Sequence, residues 1–172
     1  GVPQDYKEAV HWYTKAAEQG HTGAQFILGR MYHDGQGVPR DDHEAVRWYT
    51  KAAEQGHTEA QFYLARMYHT GDGVERNPEE AEKWYQEAAE KGDSDSQFNL
   101  ALMYETGDGV KINLTTAAEL YKNAAEHGHA AAQFKLAFMY ETGYGVNQKY
   151  PEAIHWYTKA ANQGHTDAQF NL

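Results

Sequence analysis

Cysteine is missing from this chain, proline occurs 4 times in 172 residues, and the only serines are Ser94 and Ser96. Without cysteine there can be no disulfide, thiolate metal site or cysteine nucleophile, although the compartment stays open. Neither serine lies in Gly-x-Ser-x-Gly or Ser-x-x-Lys, so the familiar serine-nucleophile motifs are also missing. No run of about 18 apolar residues occurs, so no membrane insertion is expected. No charged stretch leading into an apolar one marks a signal peptide. Positive charge is scarce: 15 Lys and Arg stand against 25 Asp and Glu, a net charge of −10, with no basic run to offset it. That field repels phosphate, which argues against nucleic acid and anionic membrane surfaces as partners. With 41% hydrophobic and 13% aromatic residues there is enough apolar surface for a packed core, and disorder is not expected.

What the chain has instead is repetition. Trp12-Tyr13, Trp48-Tyr49, Trp84-Tyr85, Leu120-Tyr121 and Trp156-Tyr157 follow at a spacing of 36 residues, and Ala-Ala, Gln-Phe, Met-Tyr and Gly-x-Gly-Val keep the same step. A repeat of that length is a solenoid signature, in which each unit buries its apolar face against its neighbours. Gly1-Val2 aligns with Gly37-Val38 and Leu172 with Leu28 in mid-helix, so the chain reads as a segment of something longer.

Residues 57–92 show the unit. Ala60, Leu64, Met67 and Tyr68 fall at i, i+4, i+7 and i+8 and predict a first helix, A, over 58–69. Thr58-x-x-Gln61 has the form of a capping box, repeated as Thr22/Gln25, Ser94/Gln97 and Thr166/Gln169 and broken at Ala130. Gly71-Asp72-Gly73-Val74 predicts a loop with positive φ at both glycines and Val74 as its apolar plug. Helix B opens at Asn77-Pro78-Glu79-Glu80, with Asn as N-cap and Pro at N1, and Asp5/Glu8 and Asp41/Glu44 repeat the cap. Ala81, Trp84, Tyr85, Ala88 and Ala89 then form an amphipathic stripe, and Gly92 ends the helix, as do Gly20, Gly56, Gly128 and Gly164 in the other copies. The fourth unit departs most: Leu120 replaces Trp, and Asn113-Leu114-Thr115-Thr116 replaces the acidic cap, so its helix B is expected to be the least stable or the most specialised.

The run Gly-x-Gly-Val, Ala-x-x-Trp-Tyr-x-x-Ala-Ala-x-x-Gly, Ala-Gln-Phe-x-Leu-x-x-Met-Tyr resembles the Sel-one-like repeat (SLR) family, a relative of the tetratricopeptide repeat. The resemblance covers the whole chain. It implies an all-α, right-handed α/α superhelical solenoid of about five helix-turn-helix repeats, the first and last incomplete. One domain is expected over 1–172, with helix B near 5–19, 41–55, 77–91, 113–127 and 149–163 and helix A near 22–33, 58–69, 94–105, 130–141 and 166–172. Members of the family mostly act as adaptors or scaffolds for other proteins, often in bacterial signalling, envelope biology or host contact.

Positions fixed between copies are accounted for by packing, caps and turns; recognition is expected where copies differ. On helix A these are Gly23, Ile27, Arg30 and Asp34; Glu59, Tyr63, Arg66 and Thr70; Asp95, Asn99, Leu102 and Thr106; Ala131, Lys135, Phe138 and Thr142. Steps of 4, 3 and 4 put each set on one helical face. Ile27, Tyr63, Leu102 and Phe138 then stand among Arg30, Arg66, Asn99 and Lys135, the mix of apolar anchors and fixed charges that an interface needs. These eight residues are the candidate partner-binding set, with the basic ones able to take carboxylates. The competing reading has the apolar ones filling the seam between adjacent A helices, and both can hold for different residues. In resembling solenoids helix A lines the concave surface. The equivalent face of helix B, such as Glu79, Lys83, Gln86 and Glu90, is polar and reads as a solvated exterior.

His21, His57, His129 and His165 recur after the turn glycine, too far apart from repeat to repeat to share a metal, and read as structural. His127-Gly128-His129 is a weak metal pair, and the Gly-x-Gly loops lack the strand that a dinucleotide site requires. No cofactor is expected. The expectation is a soluble protein- or peptide-binding adaptor without enzymatic activity, either cytoplasmic or exported from a bacterium. Two alternatives are end-to-end self-association into an array and, because some resembling proteins are linked to cell-wall or β-lactam chemistry, a small-molecule binder or hydrolase.

Overall fold

The computed structural model describes residues 2–172; Gly1, which opens the alignment with Gly37, lies outside them. Among the described residues the chain is helix and turn only: α1 (Val2–Glu18), α2 (Thr22–Asp34), α3 (Asp42–Glu54), α4 (Thr58–Thr70), α5 (Pro78–Glu90), α6 (Ser94–Thr106), α7 (Leu114–Glu126), α8 (Ala130–Thr142), α9 (Tyr150–Asn162) and α10 (Thr166–Phe170). Odd-numbered helices are the B helices and even-numbered ones the A helices of an all-α repeat fold. Two compact units, Gly1–Glu87 and Ala88–Leu172, divide the chain within α5.

Three of the B helices start as their sequences predict, whereas α1 opens at Val2, so Asp5 lies in its first turn and not at the N-cap. Asp41 Oδ1 accepts from the backbone N–H groups of His43 and Glu44, and Asn77 Oδ1 accepts from Glu80 N–H. Asn113 Oδ1 accepts from Thr116 N–H, so the fourth unit keeps its cap after all. At α9 Lys149 stands at the N-cap and no side chain caps the helix. The A helices overturn the capping-box reading. Their N-caps are His21, His57, Asp93, His129 and His165, one residue before the Thr or Ser, and each side chain accepts from the N–H three residues on. An unprotonated imidazole Nδ1 offers a lone pair much as a carboxylate oxygen does, so histidine can take the cap. The glutamine of each supposed box reaches back eight residues instead: Gln25 donates to Ala17 O, Gln61 to Ala53 O, Gln97 to Ala89 O and Gln169 to Ala161 O, and Gln133, in the copy without a box, does the same to Ala125 O. Ala130 therefore breaks nothing, since His129 caps α8 without help from a threonine.

The loop glycines adopt the left-handed conformation that their spacing predicts, with φ of 86° at Gly71 and 68° at Gly73. Gly73 has a second reason to be glycine, because a Cβ there would collide with the backbone carbonyl of Asp42. The loop after helix A is thereby pressed onto the start of the preceding helix B. Helices α3 and α7 bury their stripes, Ala45, Trp48, Tyr49, Ala52 and Ala53 in α3 and Ala117, Ala118, Tyr121, Ala124 and Ala125 in α7, whereas Trp12 on α1 stands 59% exposed. In the first unit Ala17, Ala24, Leu28 and Trp48 cluster, with Val10, Tyr13, Ala16 and Tyr32 packed around them. In the second, Tyr121, Leu136, Met139, Trp156 and Tyr157 form the heart of the core, and Val146 packs on it as the expected loop plug. Burying one such large side chain is worth about 1.5–3 kcal/mol. Lysines roof the outer tryptophan faces, with Lys51 Nζ 4.5 Å from the Trp48 ring centre and Lys159 Nζ 4.6 Å from that of Trp156.

Candidate functional site

The candidate residues sit on the A helices: Ile27 and Arg30 on α2, Tyr63 and Arg66 on α4, Asn99 and Leu102 on α6, Lys135 and Phe138 on α8. Burial separates them. Arg30 and Phe138 are exposed, and the other six are half-buried. The seam reading therefore holds for part of the stripe.

In the first unit Tyr63 lies flat on the fully buried Tyr49, with ring centres 5.4 Å apart and planes at 16°, and a tilted Phe26 is 5.9 Å away. Tyr63 is thus a seam residue that shows one face outward, and on it rests the Arg66 guanidinium, 4.8 Å from the ring centre. Arg66 also approaches His33 Nε2 at 3.2 Å, while His33 Nδ1 lies 2.8 Å from Asp42 Oδ1. A carboxylate only accepts and a guanidinium only donates, which assigns the proton to Nδ1 and the lone pair to Nε2. Arg40 Nη2 donates to the other Asp42 oxygen at 2.7 Å, and these hydrogen bonds, Arg40 first, hold the Asp42 carboxyl below its ordinary pKa. Arg30 has only a loose contact with Asp34, at 3.9 Å.

In the second unit the cation is already engaged. Lys135 Nζ donates to both oxygens of Glu105 at 3.0 and 3.1 Å, and the Tyr121 hydroxyl donates to the same carboxylate at 2.5 Å. The Tyr157 hydroxyl donates to Glu141 at 2.7 Å. Burial, and then these carboxylates, push both phenols above the usual tyrosine pKa. Asn99 turns back to its own helix and donates to Asp95 O at 2.7 Å. Phe138 stands 42% exposed beside Tyr144, also 42% exposed, and with Thr142 and Gly143 they line an open apolar depression of about 390 Å³. A larger, mainly polar depression of about 580 Å³ lies between Tyr140, the loop residues Gly143, Gly145, Val146 and Asn147, and Lys149.

Sequence reasoning passed over the position held by His33, His69, Glu105 and Glu141. It changes from histidine to glutamate between copies, a visible signal, but it sits one residue outside the chosen stripe. The turn histidines cap helices and stack on phenylalanines: His57 on Phe26 at 4.5 Å, His129 on Phe98 and His165 on Phe134 at 4.6 Å. His127 points Nδ1 at its own helix carbonyl of Asn123, and no cluster of three or more metal-ligating side chains exists among the described residues. Among those residues no helix is long and apolar enough to cross a membrane.

The sequence matches the Sel1 repeat five times, at residues 1–21, 22–57, 58–93, 94–129 and 130–165. Among solved structures the chain is similar to a protective antigen of uropathogenic Escherichia coli displaying an SLR fold, at 44% identity and a TM-score of 0.97, covering 100% of this chain and 37% of that one. A Sel1 repeat protein from Oxalobacter formigenes gives 40% identity and a TM-score of 0.86 over 94% of this chain and 64% of that one. An immunity protein from Pseudomonas aeruginosa gives 27% identity and a TM-score of 0.56 over 94% and 58%. The chain therefore spans less than two thirds of the length of each of these proteins. No curated protein matches it.

Proposed function

The chain belongs to the Sel1 repeat family, whose members are generally protein-interaction scaffolds, and from that premise we propose that it is a non-enzymatic adaptor holding a protein or peptide along its A helices. The observation that carries this reading is that each unit exposes on an A helix a group that its packing does not require: the Arg30 side chain at 52%, with only a 3.9 Å contact to Asp34, in the first unit, and Phe138 at 42% in the second. Residues of this kind dominate interface energetics when a partner desolvates them. On the helix B exterior the cations are engaged, since Lys83 and Arg47 are drawn onto Trp84 and Trp48 and paired with Glu80 and Glu44, and the exposed apolar side chains Trp12, Tyr150 and Ile154 lie on α1 and α9. The lack of cysteine and of both serine-nucleophile motifs supports the non-enzymatic part.

The test begins with partner capture on the intact chain, followed by calorimetric titration of the purified partner. Combined Arg30→Glu and Phe138→Ala should weaken binding at least tenfold, because truncating an interface anchor costs more than 1 kcal/mol, while the melting curve barely moves. An equal loss from Lys83→Glu on the helix B exterior would overturn the assignment of the face.

A further inference from the structure

We propose that the A-helix face of the first unit is a carboxylate-receiving site centred on Arg66, so that the partner presents an aspartate, a glutamate or a chain-terminal carboxylate there. This rests on the helix A reading above and names the chemistry of the partner.

Arg66 is a half-buried guanidinium whose contacts are uncharged: the Tyr63 ring and the lone pair of His33 Nε2. The Tyr63 ring on which it rests stacks on Tyr49, and Tyr49 and Tyr85 are two tyrosines of this unit at 0% exposure, neither hydroxyl with a hydrogen-bond partner. The Arg66 charge opposes the upward push that burial gives both phenols. The Arg66 neighbourhood is rich in donors and short of acceptors. A half-buried cation and buried hydroxyls without an acceptor are costly, and an anion relieves both costs at once.

The second unit shows what such a set takes. Tyr121 donates to Glu105, sixteen residues before it, and Lys135 closes on the same carboxylate. The residue sixteen before Tyr49 is His33, and the one before Tyr85 is His69. Where the second unit supplies its own carboxylate, the first carries histidine, so an acid must come from another molecule. The nearby acids do not fill the role. Asp42 is held by Arg40 and His33, and Asp34 touches Arg30 only at 3.9 Å on the rim. Arg30, Arg40 and Arg66 stand in this neighbourhood with Asp34, Asp42 and Asp72, so the charges balance locally in a chain of net charge −10. An incoming carboxylate meets the outer edge of Arg66 first, where planar bidentate pairing is available. It reaches the phenols after a side-chain rotation of the kind common at interfaces.

The probe is an acetylated, amidated Leu-Glu-Leu-Glu peptide beside its Leu-Gln-Leu-Gln counterpart, titrated into the intact chain while the Arg66 Nε–H and backbone amide resonances are followed. The glutamate peptide should shift Arg66 and the amides of α2 and α4 saturably, and added salt should weaken it. Arg66→Gln should weaken binding about tenfold and the exposed Arg30→Gln about threefold. If Arg66→Gln unfolds, the Arg30→Gln and salt series decide. Failure of the glutamate peptide to bind, equal binding of the glutamine peptide, or shifts confined to the second unit would each overturn the proposal. The helix A reading survives those outcomes if a captured partner still loses affinity on Phe138→Ala.

Discussion

Replacing His127 by glutamine should stabilise the second unit by about 1 kcal/mol, and the reason lies in one buried amide. Gln97 donates through Nε2 to Ala89 O at 3.1 Å, but its Oε1 is buried with no partner. The equivalent oxygens elsewhere are satisfied: Gln55 Nε2 donates to Gln25 Oε1 at 2.6 Å, and Gln163 Nε2 donates to Gln133 Oε1 at 2.8 Å. Position 127 is where that donor belongs, and its backbone already has the required form. His127 has φ −82° and ψ 8° at the helix C-cap, against −89° and 3° for Gln163. The imidazole instead points Nδ1 at the exposed carbonyl of Asn123, a contact whose loss costs only a few tenths of a kcal/mol. A new buried hydrogen bond contributes about 0.5–1.5 kcal/mol net and removes the desolvation cost of the orphaned oxygen. For a chain of this size each kcal/mol shifts the melting temperature by about 2–4 °C. Because repeat units need not unfold together, amide exchange in α6 should be measured beside the melting curve. The reciprocal variant, Gln163→His, removes the partner of Gln133 and should cost a similar amount. No gain in the first variant together with no loss in the second would refute the reasoning.

His57→Ala should lower stability by about 1 kcal/mol through loss of the N-cap, while His57→Asp should recover most of it, since Asp93 already does that job; thermal melts of both variants check this. Glu105→Ala should cost about 2 kcal/mol because it strands the Tyr121 hydroxyl and Lys135 together, and Glu105→Gln should cost less because its amide oxygen still accepts from Tyr121. Burial, then the hydrogen bond to Glu141, pushes the Tyr157 phenol from 10.0 up to about 12. Its folded-state pKa lies above the unfolded one, so its contribution is complete below about pH 10 and is lost as pH rises toward 12. Urea denaturation at about pH 8 and about pH 11 should therefore show an alkaline loss that Tyr157→Phe reduces.

The period, the helix pairs and the glycine turns were legible in the sequence because each rests on a local rule. Asn77 and Asp41 announce helix starts, and Gly92 announces an end, whatever surrounds them. The cap of helix A was misread for the same reason: Thr58-x-x-Gln61 satisfies a familiar pattern, while His57 does the work with an acceptor that is easily overlooked. Nor could spacing along one helix tell groove from seam. Tyr63 and Phe138 belong to the same stripe, yet Tyr63 rests on Tyr49 and Phe138 stands in the open, a difference set by side chains on other helices. The charge network was hidden for a related reason. Lys135 resembles Arg66 in a list of cations, but only the fold brings Glu105 to Lys135 and His33 to Arg66.

The central claim is that the A helices form the protein-binding face and that the repeat signature is scaffold. It is tested most directly by calorimetric titration of a captured, purified partner against two variants of equal thermal stability. One carries Arg30→Glu with Phe138→Ala on the A helices, the other Lys83→Glu with Glu90→Lys on helix B. At least a tenfold loss in the first and wild-type affinity in the second is the predicted result; equal losses in both, or a loss confined to the second, would contradict it.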